Sequence, residues 1–597
     1  MLKTQASGWG SRLGLVLAMA GNAVGLGNFL RFPVQAVENG GGAFIIPYLV
    51  CFLLMGIPLL FVEWSVGRFG GNKGHHSTPF ILDSMDKRAL WKYIGVFGIF
   101  TNLAVAAYYC YLESWTLSYV WHSIADTFGG KTQGEVAGFF GNYVSVSSAE
   151  PIIFWVLCLF LNTWILSKGL SGGVEKAAKI GMPLLLLFGG FLAYKAITIH
   201  AGEDGALFDG TVGLDYLWTP DYSSIWDSKV WLAAAGQIFF TLSIGMGSIQ
   251  CYASYVKSKD DIALNAMSAG WMNGFVEIVL GSAIIIPITV GYLGIDGMKE
   301  LLSQGGGLGL GFKTLPYLFE QWGSLLGVIA GVAWFGLLFF AGITSSLAMG
   351  TPVMGFLTDE FGWKEKNAAW AFGFAVFLLG LPTVLFFNNG VFDEYDYWAG
   401  TVSLVVFAFV EIILFAWIFG MDKGWKEINQ GADIKVPIVF KYIIKYVTPV
   451  LLGWVLINSI PDLVNTLNHK GSHENPGSQE KIDLYQDEEA MRKESDTLKT
   501  LLNAKEDFQP SFLSPNVVTD EQLMANKNIT IPTYLLIKKE RELEKIRTDI
   551  AYRNSKIEDE EKTMLYKNMS RLFLLALWLG IAYLVYLASK KLKLKKT

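Results

Sequence analysis

The run Gly21-Asn22-Ala23-Val24-Gly25-Leu26-Gly27-Asn28 lies inside an apolar stretch of membrane-spanning length, and its composition argues against a continuous helix there. Glycine costs about 1 kcal/mol against alanine in a helix interior, so Gly21, Gly25 and Gly27 make local unwinding cheap. A second stretch has the same character: Gln237 to Gly247 holds Thr241, Ser243, Gly245, Met246 and Gly247. Unwound backbone at membrane depth leaves N–H and C=O groups unpaired, which is tolerated only where protein, water or a bound ion satisfies them. Close packing of small residues would account for the glycines alone. It leaves unexplained why Asn22, Asn28, Thr241 and Ser243 cluster at the same points. Their side-chain oxygens, with the freed carbonyls, suit a hard cation such as sodium.

The surrounding chain is built for lipid. Apolar residues make up 52% and charged ones 17%, a balance a soluble protein of this length would not need. Twelve apolar stretches, near 13–36, 42–69, 90–123, 151–168, 175–198, 229–256, 261–293, 322–356, 367–387, 398–420, 438–466 and 572–588, approach bilayer length. The first carries Arg31 and lacks a small-residue cleavage site, so it reads as a spanning helix and not a signal peptide. Lys87, Arg88, Lys92, Lys176, Lys179, Lys257, Lys259, Lys364 and Lys366 fall in alternate loops, whereas 200–228 is acidic without Lys or Arg. The positive-inside rule then predicts a multi-pass protein of the cell (inner) membrane with both termini cytoplasmic.

Other chemistries find no support. Cys51, Cys110, Cys158 and Cys251 all fall in apolar spans without motif spacing, and His75 and His76 in a Gly-rich inner loop read as solvated. No P-loop, nucleophile elbow or metal-ligand spacing appears, so no enzyme is expected. A net charge of −5 points to no nucleic-acid partner. The two broken stretches are the first and the sixth. If two five-helix halves repeat with inverted topology, the breaks take matching positions and meet at the midplane.

These motifs closely resemble the neurotransmitter:sodium symporter family, in particular its bacterial amino-acid transporters. The signature runs from Gly21 to Pro33, and similar runs recur at Glu38 to Phe44, Tyr108 to Trp115, Gln237 to Tyr255, Phe340 to Ser346 and Asp393 to Gly400. The resemblance implies an all-α membrane protein of about twelve spans with a 5+5 inverted repeat, the LeuT fold, with helices 1 and 6 unwound at the midplane. It implies one sodium bound by the Ala23 carbonyl, Asn28, Thr241, Asn273 and the substrate carboxylate. A second would lie between the carbonyls of Gly21, Val24 and Ala341 and the hydroxyls of Thr344 and Ser345.

The implied amino-acid pocket comprises Asn22, Ala23, Leu26, Gly27, Val105, Tyr109, Phe240, Thr241, Ser243, Met246, Ser345 and Met349. Members of the family that take monoamines have an aspartate at position 25, where this chain has Gly25, so the cargo should bring its own carboxylate. Met246 and Met349 replace a Phe and an Ile of the leucine-transporting pattern. Methionine adapts its shape readily, which favours a hydrophobic or aromatic α-amino acid. Glu277, one helical turn past Asn273, stands where chloride-dependent members have a serine, so transport is expected without chloride. The resemblance also implies an outer gate of Arg31 and Asp396 flanked by Tyr109 and Phe240, and an inner gate with Asp359 and Tyr255. The inner gate departs from the family: its expected arginine aligns with Ala6, leaving Lys3 as a stand-in and predicting looser closure. Glu63, Glu113 and Glu411 read as a structural network of intramembrane acids.

The expected organisation is a transporter core over 1–466, a charged extracytoplasmic insert over 467–570, a last span over 571–589 and a basic tail over 590–597. In the insert, Leu484, Met491 and Leu498 recur every seven residues, as do Leu536, Leu543, Ile550, Ile557 and Met564. That pattern predicts a helical hairpin joined near 508–533. Docking a protein partner, capping the vestibule, or neither all remain open for it. The expected function is sodium-coupled, chloride-independent amino-acid symport by alternating access, with the lipid bilayer as surroundings. The alternative is a transporter-like amino-acid receptor or scaffold that signals through the insert.

Overall fold

A computed structural model of the chain describes residues 8–146, 148–219, 222, 224–467, 493 and 531–596. The described residues are all-helical apart from turns and connections. Among them, nine helices are long and apolar enough to cross a membrane, or ten if the bent pair at the start is taken as one span. The protein is a multi-pass membrane protein. Its residues divide into two compact units, Met1–Asn458 with Met569–Thr597, and Ser459–Asn568.

In chain order the larger unit begins with α1 (Arg12–Ala23) and α2 (Leu26–Glu38), which meet at a bend of 51°. Then follow α3 (Gly42–Gly71), α4 (Leu90–Ile124) and the shorter α5 (Glu150–Leu166). Next is α6 (Leu170–Ile197). The sixth apolar stretch is divided into α7 (Ser228–Leu242) and α8 (Ser248–Ala253). After it come α9 (Ile262–Ser303), α10 (Ser324–Phe361), α11 (Glu365–Leu385), α12 (Val391–Asn429) and α13 (Val439–Leu467). The final helix, α14 (Ile531–Lys596), contains the last apolar stretch without interruption. Leu536 to Met564 belong to this helix, whereas the first predicted arm, with Leu484, Met491 and Leu498, lies outside the described residues.

Why the first and sixth stretches break is visible in the backbone. Ser243 (φ +53°), Gly245 (φ +76°) and Gly247 (φ +85°) all take the left-handed region, which no helix can propagate through. A Cβ on Gly245 would sit 2.1 Å from the Leu404 carbonyl oxygen, so α12 approaches this turn more closely than any side chain allows. The turn is held from both sides. The Gly245 N–H donates to Glu63 Oε1 (2.5 Å), and Asn102 Nδ2 donates to the Met246 carbonyl (2.6 Å). In the first stretch, Gly25 caps α2 with extended backbone, and its N–H donates to Asn28 Oδ1 (2.8 Å).

Helix α4 packs most extensively against α10, forming the wall beside these breaks. Between them Glu113 Oε1 accepts from Asn162 Nδ2 (2.9 Å), and Ser346 donates to Asn162 Oδ1 (2.7 Å), a fully buried polar tie of α4, α5 and α10. Within it Asn162 satisfies one Glu113 oxygen and the Ser346 hydroxyl together, which lowers the cost of burying these groups. On α12, Glu394 accepts both Arg571 Nε (2.7 Å) and Nη2 (2.8 Å), the paired geometry that suits a guanidinium and a carboxylate. The four cysteines are buried and free, as their apolar settings predict.

Candidate functional site

The two breaks face each other. Ser243 Oγ in the sixth donates to the Asn22 carbonyl of the first (2.9 Å), and Ser248 Oγ donates to Asn22 Oδ1 (3.1 Å). Because α1 stops at Ala23, the carbonyls at its end have no next helical turn to accept from. They point instead at α10. Ser345 Oγ lies 3.1 Å from the Gly21 oxygen, 3.5 Å from that of Asn22, 3.4 Å from Val24 and 3.1 Å from Ala341. A hydroxyl has one proton, so it can donate to only one of four such oxygens at a time. The rest are lone pairs facing lone pairs, an arrangement that a cation relieves. Thr344 Oγ1, 2.9 Å from the Phe340 oxygen and 3.2 Å from that of Ala341, adds another oxygen at the same place. A Cβ on Gly21 would meet Thr344 Cβ at 2.8 Å, so α1 can approach α10 this closely only with glycine there. The oxygen set of Gly21, Val24, Ala341, Thr344 and Ser345 fits a hard cation.

A second polar cluster lies on the other side of the first break. Asn28 Nδ2 is 3.0 Å from Thr241 Oγ1 and 2.8 Å from Asn273 Oδ1, and Asn273 Nδ2 is 3.0 Å from Thr241 Oγ1. All three side chains are buried. Ala23 lines the adjoining cavity together with Asn28 and Thr241. Beside this triad, Glu277 is fully buried and accepts from Tyr48 through Oε2 and from Gln237 through Oε1. Both carboxylate oxygens thus have neutral donors, and no basic side chain forms an ion pair with Glu277 among the described residues.

A small cavity lies between the breaks. Eleven of the twelve residues expected for an amino-acid pocket line it; Leu26 does not, and instead its backbone N–H donates to Tyr109 Oη (3.1 Å). Tyr108, Gly400 and Leu404 join the lining as well. Gly400 falls within one of the sequence runs singled out above, and Tyr108 begins another, but nothing in their residue type marked them as facing a ligand. Gly25 also lines the cavity, and a Cβ there would lie 2.8 Å from Tyr109 Oη and 3.1 Å from Ser345 Oγ.

Each of the expected gate residues has a defined neighbour. Arg31 lies over the Phe240 ring, its Cζ 4.4 Å from the centroid, while Asp396 Oδ1 accepts from Tyr108 Oη at 2.6 Å. Among the described residues no ion pair joins Arg31 to Asp396 in this structure. At the other end Asp359 is engaged by His76, at 2.8 Å from its backbone N–H and 3.0 Å from Nδ1. His76 stacks on Tyr255 with ring centroids 4.2 Å apart. The expectation of solvated histidines therefore fails for His76, whose side chain is only 15% exposed. It failed because the loop folds back onto the end of α10, a long-range contact no local pattern records. Lys3 and Ala6 lie outside the described residues.

Comparison with known proteins agrees with this geometry. Residues 6–134 and 148–477 match the sodium:neurotransmitter symporter family. An uncharacterized sodium-dependent transporter of Methanocaldococcus jannaschii is 33% identical over 467 residues, covering 75% of this chain and 89% of its own. The sodium-dependent nutrient amino acid transporter 1 of Drosophila pseudoobscura pseudoobscura is 24% identical over 518 residues, covering 77% of this chain and 75% of its own. Among solved structures, the crystal structure of MhsT in complex with L-phenylalanine is similar, with a TM-score of 0.66 and 29% identity over 76% of this chain and 99% of that one. With its paired helix breaks, its oxygen clusters and its long match to sodium-dependent relatives, this chain belongs to the sodium:neurotransmitter symporter family and is a transporter, not an enzyme.

Proposed function

We propose that the chain carries a hydrophobic or aromatic α-amino acid across the cell membrane, driven by sodium at two sites and without chloride. The observation that carries this reading is the Ser345 hydroxyl, with one proton among four carbonyl oxygens at 3.1–3.5 Å. Even with Ser243 donating to the Asn22 oxygen, more oxygens than hydroxyl protons meet here, and a small cation stabilises such a cluster. The Asn28, Thr241 and Asn273 triad would hold the other ion at the cavity wall, where a substrate carboxylate could complete its shell. Gly25 supports that division of labour: with Tyr109 and Ser345 so close, the wall has no room for a carboxylate of its own. Val105, Phe240, Met246, Met349 and Leu404 offer an apolar wall to the side chain. The relative MhsT was crystallised with L-phenylalanine, which fits this choice of cargo.

The test is uptake by the reconstituted full chain from a panel of labelled amino acids under a sodium gradient and then a potassium gradient. Phenylalanine, leucine and methionine should accumulate with sodium only and displace one another. Equal uptake with potassium would defeat the sodium assignment, and absence of mutual displacement would defeat the cargo class.

Chloride independence rests on Glu277, whose carboxylate supplies negative charge beside the triad. Glu277→Ser should convert the protein to chloride-dependent transport. Uptake by the variant should fall at least about tenfold when gluconate replaces chloride, since one lost charge contact in a buried site is worth ~1.5–3 kcal/mol. The unaltered protein should be indifferent to the exchange. A wild-type loss of uptake in gluconate would contradict the proposal.

A further inference from the structure

We infer that His76 is the cationic partner of the inner gate and makes closure of that gate depend on pH. The inference rests on the transport reading above in that it takes Asp359 and Tyr255 as a gate.

Asp359 stands near the C-terminal end of α10, fourteen residues beyond Ser345. At a rise of ~1.5 Å per residue this places it roughly 20 Å along the helix from the ion-fitting oxygens. Its Oδ2 accepts both the His76 backbone N–H and His76 Nδ1. The loop backbone is locked into this position. The His76 carbonyl lies 2.8 Å from Cys251 Sγ on α8, and a Cβ on Gly355 of α10 would lie 2.5 Å from the same oxygen. One imidazole thus joins α10, through Asp359, to the segment following α8, through the face of Tyr255. These are parts that must separate if the inner side is to open. A basic residue in this position would both pair with the carboxylate and lie on the aromatic ring.

The imidazole does this with a proton that can leave. A carboxylate oxygen only accepts, so Nδ1 carries hydrogen in either protonation state, and the site that titrates is Nε2. When Nε2 is protonated the pair is a charged ion pair. When it is not, one neutral hydrogen bond remains. The groups around it have distinct roles. Tyr255 and Cys251, on the facing segment, are neutral in their ordinary forms below pH 8. Glu360 neighbours Asp359 on α10 and lies 3.6 Å from His75, beyond hydrogen-bond reach. Lys364 and Glu365 line the same cavity as Asp359, Tyr255 and Thr351 and bring opposite charges to it. Among the described residues no Lys or Arg forms an ion pair with Asp359.

Histidine is the side chain whose unperturbed charge changes between about pH 5 and 8. The protonated imidazole makes the stronger latch, so the gate should be tighter at lower pH. Thr351, buried and two helical turns before Asp359, is a reporter for opening. In the full-length protein with Thr351→Cys, reconstituted with sodium and no substrate, maleimide labelling is measured at several pH values. Each rate is divided by that of the denatured protein at the same pH, and the protein without Thr351→Cys gives the background. The normalised rate should rise about fivefold from pH 5.5 to 8, the population change expected for a partly exposed ion pair. With His76→Gln it should be high at every pH, and with His76→Arg it should be low at every pH. With His75→Gln the pH dependence should remain.

A flat profile in the parent, an unchanged profile in His76→Gln, or fast labelling of His76→Arg would overturn the inference. So would loss of the profile on His75→Gln alone. Slow labelling of His76→Arg separates a gate partner from a residue needed only for folding, because a misfolded variant would label fast. Sodium-driven uptake by the same parent distinguishes the two readings: absent uptake with an intact pH profile defeats transport and leaves the latch standing.

Discussion

Removing both hydroxyls beside the first break, Thr344→Ala with Ser345→Ala, is expected to abolish sodium-driven uptake. The two side chains supply the hydroxyl oxygens of the Gly21, Val24 and Ala341 cluster, and their neighbours are main-chain carbonyls that substitution cannot replace. A contact to a charged group contributes ~1.5–3 kcal/mol, so losing two corresponds to roughly 10²–10⁴-fold weaker sodium binding. Uptake at a sodium concentration that saturates the parent should fall below a hundredth of its value. Ser345 also lines the substrate cavity, so uptake alone would not separate ion from cargo. Thermal unfolding without substrate supplies the separation, since any ligand bound only to the folded state raises the melting temperature. Sodium should stabilise the parent relative to potassium, and this increment should shrink markedly in the double variant. If the increment survives intact, the cation does not use these hydroxyls.

The second large effect concerns the turn in the sixth stretch. Gly245→Ala places a methyl group in a backbone conformation costing ~1–3 kcal/mol, and it also drives Cβ to 2.1 Å from the Leu404 oxygen. Nothing near that oxygen is a flexible side-chain end, so either α12 or the turn must shift. Overpacking of this kind costs a further ~1–3 kcal/mol. The turn also aims the Gly245 N–H at Glu63 and the Met246 carbonyl at Asn102, contacts that a shift would lengthen. Substrate uptake should fall at least about tenfold, and the protein should unfold at a clearly lower temperature, in keeping with an overpacked core site. Gly236→Ala is the matched control, since a Cβ there meets nothing within 4 Å and its helix is regular. Equal behaviour of the two variants would show that the turn tolerates a side chain.

Much of the site was legible from residue type alone. Glycines beside asparagine, threonine and serine in an apolar stretch announce unpaired backbone in need of a partner, and the breaks occur at Val24–Gly25 and at 243–247. Resemblance to the family then named the cavity residues, of which Leu26 alone falls outside the lining. The gates were less legible. Opposite charges such as Arg31 and Asp396 suggest a pair, yet here each has another neighbour, the Phe240 ring and the Tyr108 hydroxyl. An exposed ion pair contributes only ~0–1 kcal/mol, no more than a cation over a ring or a hydrogen bond to a carboxylate, so charge pattern alone does not select it.

Composition and local residue order are enough to establish that this chain crosses a membrane, where its helices break, and that oxygen atoms gather at the breaks. Those properties follow from local chemistry: lipid does not hydrogen-bond, glycine does not hold a helix, and a freed carbonyl requires a partner. That the Ser345 hydroxyl also faces the Asn22 carbonyl, and that His76 reaches Asp359 across 283 positions of sequence, emerges only from the packed fold. Contacts of that range depend on how a loop seats against Cys251 and Gly355, and packing at such distances leaves no periodic trace in the order of residues.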